Sequence, residues 1–241
     1  MVFFIPAGEL KKTYDVFGHF YSLAFKSGER VDCRSVLELV HTASTPTNLT
    51  GLSEKRPDAV CIMMNPGSSK PLCEVDRVVT PGTIGKLEET SLVPTRPDIT
   101  QYQVMRVMHY CGWHHVRILN LSDLRDPKSG NFVDRYTRLE TREEGEMHSL
   151  FSSARSAELA LRLGEDHNVP VICAWGVSPD LDPLIERCMP RIKGYTLQGL
   201  LKEHTTDKYF HPLPTLQRAK EAWVVNMVAA LRAHGPLMDD V

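Results

Sequence analysis

The stretch from Asp58 to Ser69 reads DAVCIMMNPGSS, and it decides how the rest of the chain is interpreted. Its apolar run, residues 59–64, lacks the alternation of a half-exposed strand, which is typical of a strand buried on both faces of a sheet. The run ends at Asn-Pro-Gly, a combination that favours a turn. The stretch therefore predicts a core strand, and its end is either a simple turn or a place where a ligand binds.

Further apolar runs predict strands that alternate with helices. The other predicted strands are residues 116–121, 169–175 and 194–197. The spacing of apolar residues predicts helices over residues 100–111, 143–163, 180–189 and 216–233. Alternating strands and helices are typical of α/β proteins with a parallel sheet. We therefore expect a three-layer α/β/α sandwich around a central, mainly parallel sheet of four strands.

The chain is expected to fold as a single globular unit with two additions to this core. Residues 1–56 precede the first predicted core strand and are interpreted as an N-terminal extension packed on the α/β domain, residues 57–241. Residues 70–97 are rich in Pro, Gly and Thr and are interpreted as a long loop. Loops of that length in a compact domain are usually functional.

Composition limits the classes of protein to be considered. The chain has 241 residues, with 28 Lys and Arg against 30 Asp and Glu, so its formal charge is −2. A nucleic-acid partner would therefore have to meet a local basic patch. The six cysteines include no C-x-x-C pair, which favours free thiols in the cytoplasm over a disulfide framework or a zinc site. We expect a cytoplasmic monomer with no membrane span, metal or cofactor.

Polar side chains follow three of the predicted strands. In open α/β sheets, ligands bind beyond the carboxyl ends of the strands, where Asn65, Asn120 and His211 are expected. Each has a simpler explanation by itself: Asn65 as a turn or cap residue, His211 as a loop residue stacked on Pro212. Together, two amides and an imidazole would provide donors and acceptors for a planar heterocycle.

The same motifs carry a resemblance. MMNPGSS, DITQYQVMRVMHYCGWHHVRILNLSDLRDPKS, VICAWG and HPL, in that order, resemble the motifs of a bacterial family of unassigned function over residues 57–233. More distantly, the series is similar to the uracil-DNA glycosylase superfamily. Members of that superfamily have a first-strand turn of the type G-x-N-P-G or G-Q-D-P-Y, a base-reading asparagine, a W-G strand end and a histidine loop.

The resemblance implies hydrolysis of an N-glycosidic bond in DNA. Asn65 would hold the attacking water, and His211 would donate a hydrogen bond to the departing base. The residues expected to bind the flipped-out base are Asn120, Pro66, Gly67 and Ser68. Where strict uracil enzymes have a tyrosine after the turn proline, this chain has Gly67. A roomier pocket is therefore expected, for a damaged or modified pyrimidine, with a role in repair or in defence against phages that carry hypermodified bases.

Contacts to DNA are expected on both sides of this site. The residues predicted to make them are Ser69, Lys70, Leu213, Thr215, Leu216 and Arg218. Thr215 falls where the superfamily places a wedge leucine, so Leu213 or Leu216 would have to replace it, or the wedge is missing. Basic residues also exceed acidic ones between positions 186 and 220, which suits phosphate contacts.

Two other functions remain open at this stage. A non-catalytic module on the same fold would bind a nucleobase or nucleic acid and would yield no abasic product. An N-glycoside hydrolase of free nucleotides would act on monomers but not on DNA.

Overall fold

The computed structural model describes residues 2–84 and 91–234. The helices of these residues are α1 (Ala7–Thr13), α2 (Pro81–Ile84), α3 (Ile99–Cys111), α4 (Ser129–Glu140), α5 (Ser156–Leu163), α6 (Asp182–Ile192) and α7 (Gln217–His234). The strands are β1 (Tyr14–Ala24), β2 (Arg30–His41), β3 (Ala59–Met63), β4 (Lys70–Pro71), β5 (Val78–Val79), β6 (Val93–Arg96), β7 (His115–Asn120), β8 (Val171–Cys173) and β9 (Leu197–Gln198). The chain thus has the α/β composition that its sequence predicts.

The sheet is mixed, and the predicted four-stranded sheet is wrong. Within the described residues it has nine strands, in the order β4-β6-β1-β2-β7-β3-β8-β9, with β5 paired to β1. The four strands predicted from the sequence are all present, and β7, β3, β8 and β9 run parallel to one another. Beyond β7, however, β2 and β1 continue the sheet in antiparallel pairing.

Helices cover both faces of the sheet, because its strands have apolar side chains on each side. Along β3, Val60 and Ile62 join a core with α4, α5 and α6, while Ala59, Cys61 and Met63 join a second core with α1, α3 and α7. All five are at most 1% exposed. This burial on two faces explains why the strand lacks alternation.

The N-terminal segment is part of the sheet, which corrects its interpretation as an extension packed on the core. β1 and β2 pair along their whole length and join the sheet through β7. The sequence did not predict these two core strands, because polar residues interrupt their apolar pattern. Arg34, Ser35 and Glu38 of β2 and His19 of β1 are all at most 1% exposed. Nothing described divides residues 2–56 from the rest of the sheet.

The predicted long helix over residues 143–163 is wrong. Only its last part is helical, as α5, and short 3-10 turns precede it. Residues 148 and 149 instead bind the segment that follows β7. Asp123 N donates to the His148 carbonyl (2.7 Å), and Ser149 Oγ donates to the Leu121 carbonyl (2.7 Å). Gly145 lies where a Cβ would be 2.0 Å from the Leu139 carbonyl oxygen, so it permits the close turn after α4.

The other helical predictions agree better with the structure. α3 begins after Asp98, whose carboxylate accepts hydrogen bonds from Thr100 N (2.9 Å) and Gln101 N (3.4 Å), and Gly112 ends it in the left-handed conformation. α6 and α7 begin within two residues of their predicted starts. The predicted loop at residues 70–97 contains β4, β5, α2 and β6; its residues 85–90 lie outside the described part.

The cysteines and the helices bear on two further expectations. All six cysteines are free, and Cys33, Cys61, Cys173 and Cys188 are buried, as the sequence predicts. No helix of residues 2–84 and 91–234 combines the length and apolar character that crossing a bilayer requires.

Candidate functional site

Asn65 is fixed at the end of β3 by hydrogen bonds to the segment that follows β7. Its side-chain Nδ2 donates to the carbonyls of Leu124 (3.3 Å) and Asp126 (2.8 Å). Because both protons of the amide are used, Oδ1 is the atom that can accept a hydrogen bond from a water or ligand. Asn65 is half-buried, so one side of this amide remains accessible.

Arg34 lies beneath the turn that follows Asn65. Its guanidinium Nη1 donates to the Pro66 carbonyl (3.3 Å) and to Ser69 Oγ. Arg34 is fully buried, and within the described residues no carboxylate oxygen lies within 4 Å of it. Burial and the neighbouring Arg125 lower the pKa of Arg34 to about 10, so it remains a cation at neutral pH.

Asn120 does not face a ligand, which corrects its predicted role in reading a base. It is fully buried at the end of β7. With its amide oriented by the surrounding donors and acceptors, it donates to the Asn65 carbonyl (3.0 Å) and accepts from Arg34 Nη2 (3.2 Å). Asn120 therefore positions the Asn65 turn, together with Arg34.

Arg125 holds the turn from the other side. Its Nη2 donates to the Ser69 carbonyl (2.9 Å), and its guanidinium lies 5.2 Å from the centre of the Phe20 ring. Ser69 is 1% exposed and is bound by two guanidinium groups. It therefore belongs to the support of the turn, and the predicted DNA contact of its side chain is wrong.

Asp98 connects this turn to the loop of His211. Its Oδ2 accepts a hydrogen bond from Ser68 N (3.2 Å), while its Oδ1 caps α3. Gly67 has a φ of 65°, and a Cβ there would lie 2.6 Å from Asp98 Oδ2. The negative charge of Asp98 also acts on His211, whose pKa it raises against the larger effect of burial.

The His211 loop is fastened through three of its carbonyl groups. The Tyr209 carbonyl accepts from Gly176 N (2.9 Å), the Phe210 carbonyl from Trp223 Nε1 (3.0 Å) and the Pro212 carbonyl from Gln103 Nε2 (2.8 Å). These donors come from the end of β8, from α7 and from α3. The backbone on both sides of His211 is therefore held at the carboxyl end of the sheet.

The imidazole of His211 is a neutral hydrogen-bond donor. Its Nδ1 accepts a hydrogen bond from Leu213 N (3.1 Å), which places the proton on Nε2. Burial lowers its pKa to about 4, against the opposing effect of Asp98. At neutral pH the ring thus offers an Nε2–H without carrying a charge.

The remaining predicted residues lie around these groups. Pro66 is buried, and Gly67 and Leu213 are half-buried. The exposed residues among those predicted to contact the base or DNA are Ser68, Lys70, Thr215, Leu216 and Arg218.

The basic residues between positions 186 and 220 are not all free for a partner. Arg187 binds Glu140 at 2.6 Å, and Lys208 forms an ion pair with Asp182. The charge excess that the sequence predicts in this segment is therefore partly used within the protein.

A cavity of about 200 Å³ lies away from these residues, and none of the predicted site residues lines it. It opens between α1, β1 and β6, and Leu72 and Pro97 form part of its rim. This cavity is therefore separate from the predicted site: Asn65 and His211 are half-buried at the strand ends, and Asn120 is buried below them.

Ser122, His148 and Glu140 form a second hydrogen-bonded chain that resembles a nucleophile, base and acid. Ser122 Oγ is 2.8 Å from His148 Nδ1, and His148 Nε2 is 3.1 Å from Glu140 Oε1. Ser122 and His148 are both fully buried. Because no substrate can reach Ser122, this chain stabilises the segment after β7.

Sequence reasoning missed Arg34 and Arg125 as parts of this site. No local motif marks Arg34, because it belongs to β2, which is distant in sequence from the Asn65 turn. The polar residues of β2 also kept this strand from being predicted. Asp98 was not singled out as part of the site either, because its local sequence gives no sign of the hydrogen bond that it accepts from Ser68 N.

The chain was compared with protein families, curated proteins and solved structures. No protein-family model matches the chain, and no match was found among curated proteins or solved structures.

A substitution at Gly67 tests the turn. Gly67→Ala is expected to lower the free energy of unfolding by roughly 2 kcal/mol, because alanine disfavours a φ of 65° and its Cβ would displace the Asp98 carboxylate that caps α3. Urea denaturation measures the effect. Gly130→Ala is the control, since Gly130 is in α4 and a Cβ there meets nothing within 4 Å. An equal and small effect at both positions would contradict the described turn.

His211 gives the fold a dependence on pH. The unfolded chain protonates histidine near pH 6.5, whereas the folded ring binds a proton only near pH 4. The free energy of unfolding should therefore be unaffected by this group above pH 6.5 and should fall by up to roughly 3 kcal/mol as the pH drops to 4. Urea denaturation at a series of pH values should give a shallower fall for His211→Gln than for the wild type. Exposed His109 provides the control, because His109→Gln should leave the profile unchanged. An unaltered profile in His211→Gln would oppose the assignment of a neutral ring to His211.

Proposed function

We propose that this protein is a DNA glycosylase that hydrolyses the N-glycosidic bond of an unpaired, modified or damaged pyrimidine. The observation that carries the proposal is the connection through Asp98. One carboxylate binds the turn after Asn65 and acts electrostatically on His211, so a fixed amide and a fixed neutral imidazole share one edge of the sheet. A water-positioning group and a neutral donor for the leaving base are what this reaction requires.

Asn65 would position the attacking water. Its Oδ1 would accept a hydrogen bond from the water, while Leu124 and Asp126 fix the plane of the amide. An amide is a weak base, so the gain comes from orientation rather than from proton abstraction. The water oxygen forms a bond to the sugar C1′ as the C1′–N bond breaks, and the water proton leaves to solvent.

His211 and Arg34 would stabilise the departing base. The electrons of the broken bond move onto the base, which becomes an anion before solvent protonates it. His211 Nε2–H would donate to a base oxygen that gains this charge. The buried cation of Arg34, which lies beneath the turn and forms no ion pair within the described residues, would favour the same charge through space.

The nature of the turn favours a broad choice of base. Gly67 and the exposed Ser68 leave the surface above the turn open. Asn120, being buried, would act by positioning the turn, so selectivity would not depend on an amide reading the Watson–Crick edge. Strict specificity for uracil is therefore not expected.

A panel of modified oligonucleotides tests this proposal. Single strands and duplexes that contain uracil, mismatched thymine or bulky modified cytosines are incubated with the protein and then treated with alkali, which breaks the strand at abasic sites. Breaks at the modified position of at least one substrate are expected. Binding without any break across the panel would favour a non-catalytic nucleobase-binding module, and release from free nucleotides alone would favour a nucleotide hydrolase.

A further inference from the structure

The cavity between α1, β1 and β6 has the size and walls of a site for a single ring. Its volume is about 200 Å³, below the range of roughly 300–1,000 Å³ for drug-sized ligands. Val16 and Met105 are buried side chains in its lining, and Leu72, Pro94 and Pro97 line it nearer the surface. Apolar walls of this kind favour the faces of a planar ring.

The charged or hydroxyl-bearing residues of the lining are Lys11, Tyr14, Asp15 and Thr95. Tyr14 lies on the same face of β1 as Val16, and burial raises its pKa to about 12, so its hydroxyl remains protonated. Asp15, the next residue of β1, points to the other face, where its Oδ2 accepts a hydrogen bond from Thr45 Oγ1 (2.7 Å). The Tyr14 hydroxyl is thus a polar group that can meet the edge of a base.

A pair of like charges lies next to the cavity. Lys70 of β4 is directly opposite Arg96 of β6, and both are exposed. Like charges in directly opposed positions destabilise a strand pair. Among the residues that the structure describes, neither forms an ion pair with a carboxylate. An anion bound between them would remove the repulsion.

The basic pair and the cavity adjoin along the β4–β6 ribbon. Pro94 lies two residues before Arg96 in β6 and so points the same way, and Leu72, which lines the cavity with Pro94, comes two residues after Lys70. Leu72 N donates to the Pro94 carbonyl (2.9 Å), which continues the pairing. The Lys70–Arg96 pair and the Leu72–Pro94 pair are therefore about 7 Å apart along the ribbon. One nucleotide can span this distance from its phosphate to its base.

This ribbon adjoins the candidate active site at both ends of its sequence. Lys70 follows Ser69 of the turn, and Pro97 precedes Asp98, which binds that turn. We propose that the β4–β6 ribbon binds a nucleotide of single-stranded DNA next to the target, with its phosphate between Lys70 and Arg96 and its base in the adjoining cavity. The inference rests on the proposed function for its biological meaning. It specifies a single-stranded substrate, because a paired base cannot enter the cavity.

Binding of unmodified DNA tests this inference without any chemistry. The fluorescence anisotropy of a short labelled oligodeoxycytidine measures the Kd at several salt concentrations. The double variant Lys70→Gln/Arg96→Gln should weaken binding about tenfold and reduce the slope of log Kd against log salt by about one. Leu72→Ala should weaken binding several-fold with an unchanged salt slope, because it removes only contact with the base.

Matched controls lie away from the ribbon. Lys55→Gln removes an exposed lysine and Leu161→Ala an exposed leucine, and both should bind as the wild type does. The inference is overturned if duplex DNA binds as tightly as the single strand, if free cytidine monophosphate competes at equal concentration, or if the ribbon variants bind normally. The oligonucleotide contains no cleavable base, so the two proposals are tested separately. A protein that binds it as predicted but releases no base from any modified strand would refute the glycosylase and retain the ribbon.

Discussion

Replacing Asn65 with alanine is expected to slow base release by roughly 10²-fold or more, while KM changes little. The substitution removes Oδ1, the atom that would hold the attacking water, and leaves the phosphate contacts of the ribbon intact. It also removes the hydrogen bonds to the Leu124 and Asp126 carbonyls, which costs about 1–2 kcal/mol of stability. Single-turnover kinetics with excess enzyme measure the chemical step directly.

The control for Asn65→Ala is Asn226→Ala, which truncates an exposed asparagine of α7. Its rate should equal that of the wild type. Circular dichroism must show that the Asn65 variant is folded at the assay temperature. A folded Asn65→Ala protein that releases base at the wild-type rate would remove Asn65 from the mechanism.

Replacing Arg155 with methionine is expected to lower the free energy of unfolding by roughly 3–5 kcal/mol. Arg155 Nη1 binds Asp123 Oδ2 at 2.7 Å, and its Nε binds Glu158 Oε2 at 3.0 Å; Tyr21 also donates to Asp123 (2.6 Å). Arg155, Asp123 and Glu158 are at most 4% exposed. Without the guanidinium, Asp123 stays buried without its ion-pair partner, and Glu158 keeps only Arg162 at 3.8 Å. Leaving buried carboxylates without their closest cation costs far more than the ion pairs contributed.

The pH dependence of this loss follows from its cause. Burial already raises the pKa of Glu158 in the wild type, and removal of Arg155 would raise it further. The variant's folded state would then bind protons more readily than its unfolded state, so its deficit should shrink as the pH falls from neutrality towards 5.

A surface ion pair provides the comparison for Arg155→Met. Arg56 binds Asp166 at 2.8 Å, but its side chain is 67% exposed. Arg56→Met should change the free energy of unfolding by less than about 1 kcal/mol. Urea denaturation of both variants at two pH values gives the comparison. Equal losses in the two variants would show that the buried network is not the stabilising group described here.

The sequence was sufficient to predict the parallel strands and the turn after β3, because apolar runs and Asn-Pro-Gly report directly on local structure. These features depend on contacts that are short in sequence or on a uniform apolar environment. Local patterns carry such information reliably.

The N-terminal strands could not be found in the same way. β1 and β2 bury His19, Arg34 and Glu38, so their patterns lack the apolar continuity of a core strand. Buried charges are stabilised by partners that are far away in sequence: Glu38, for example, binds His115 and Arg117 of β7. A sequence read by periodicity alone assigns such residues to the surface.

The role of Asn120 was missed for a related reason. Its place at the end of β7 was predicted from the sequence, but the direction of its side chain depends on Arg34, which lies in a strand that was not predicted. The prediction located the strand end and could not say that an arginine fills the space below it.

The most direct test of the central claim is mass spectrometry of the products formed from a modified single strand in water enriched in heavy oxygen. The account predicts a free base together with a strand of unchanged length whose abasic sugar carries the heavy oxygen, and, over the same time, roughly 10²-fold less of both products with Asn65→Ala. Intact substrate from every modified strand, or heavy oxygen on a phosphate of a cut strand, would contradict it.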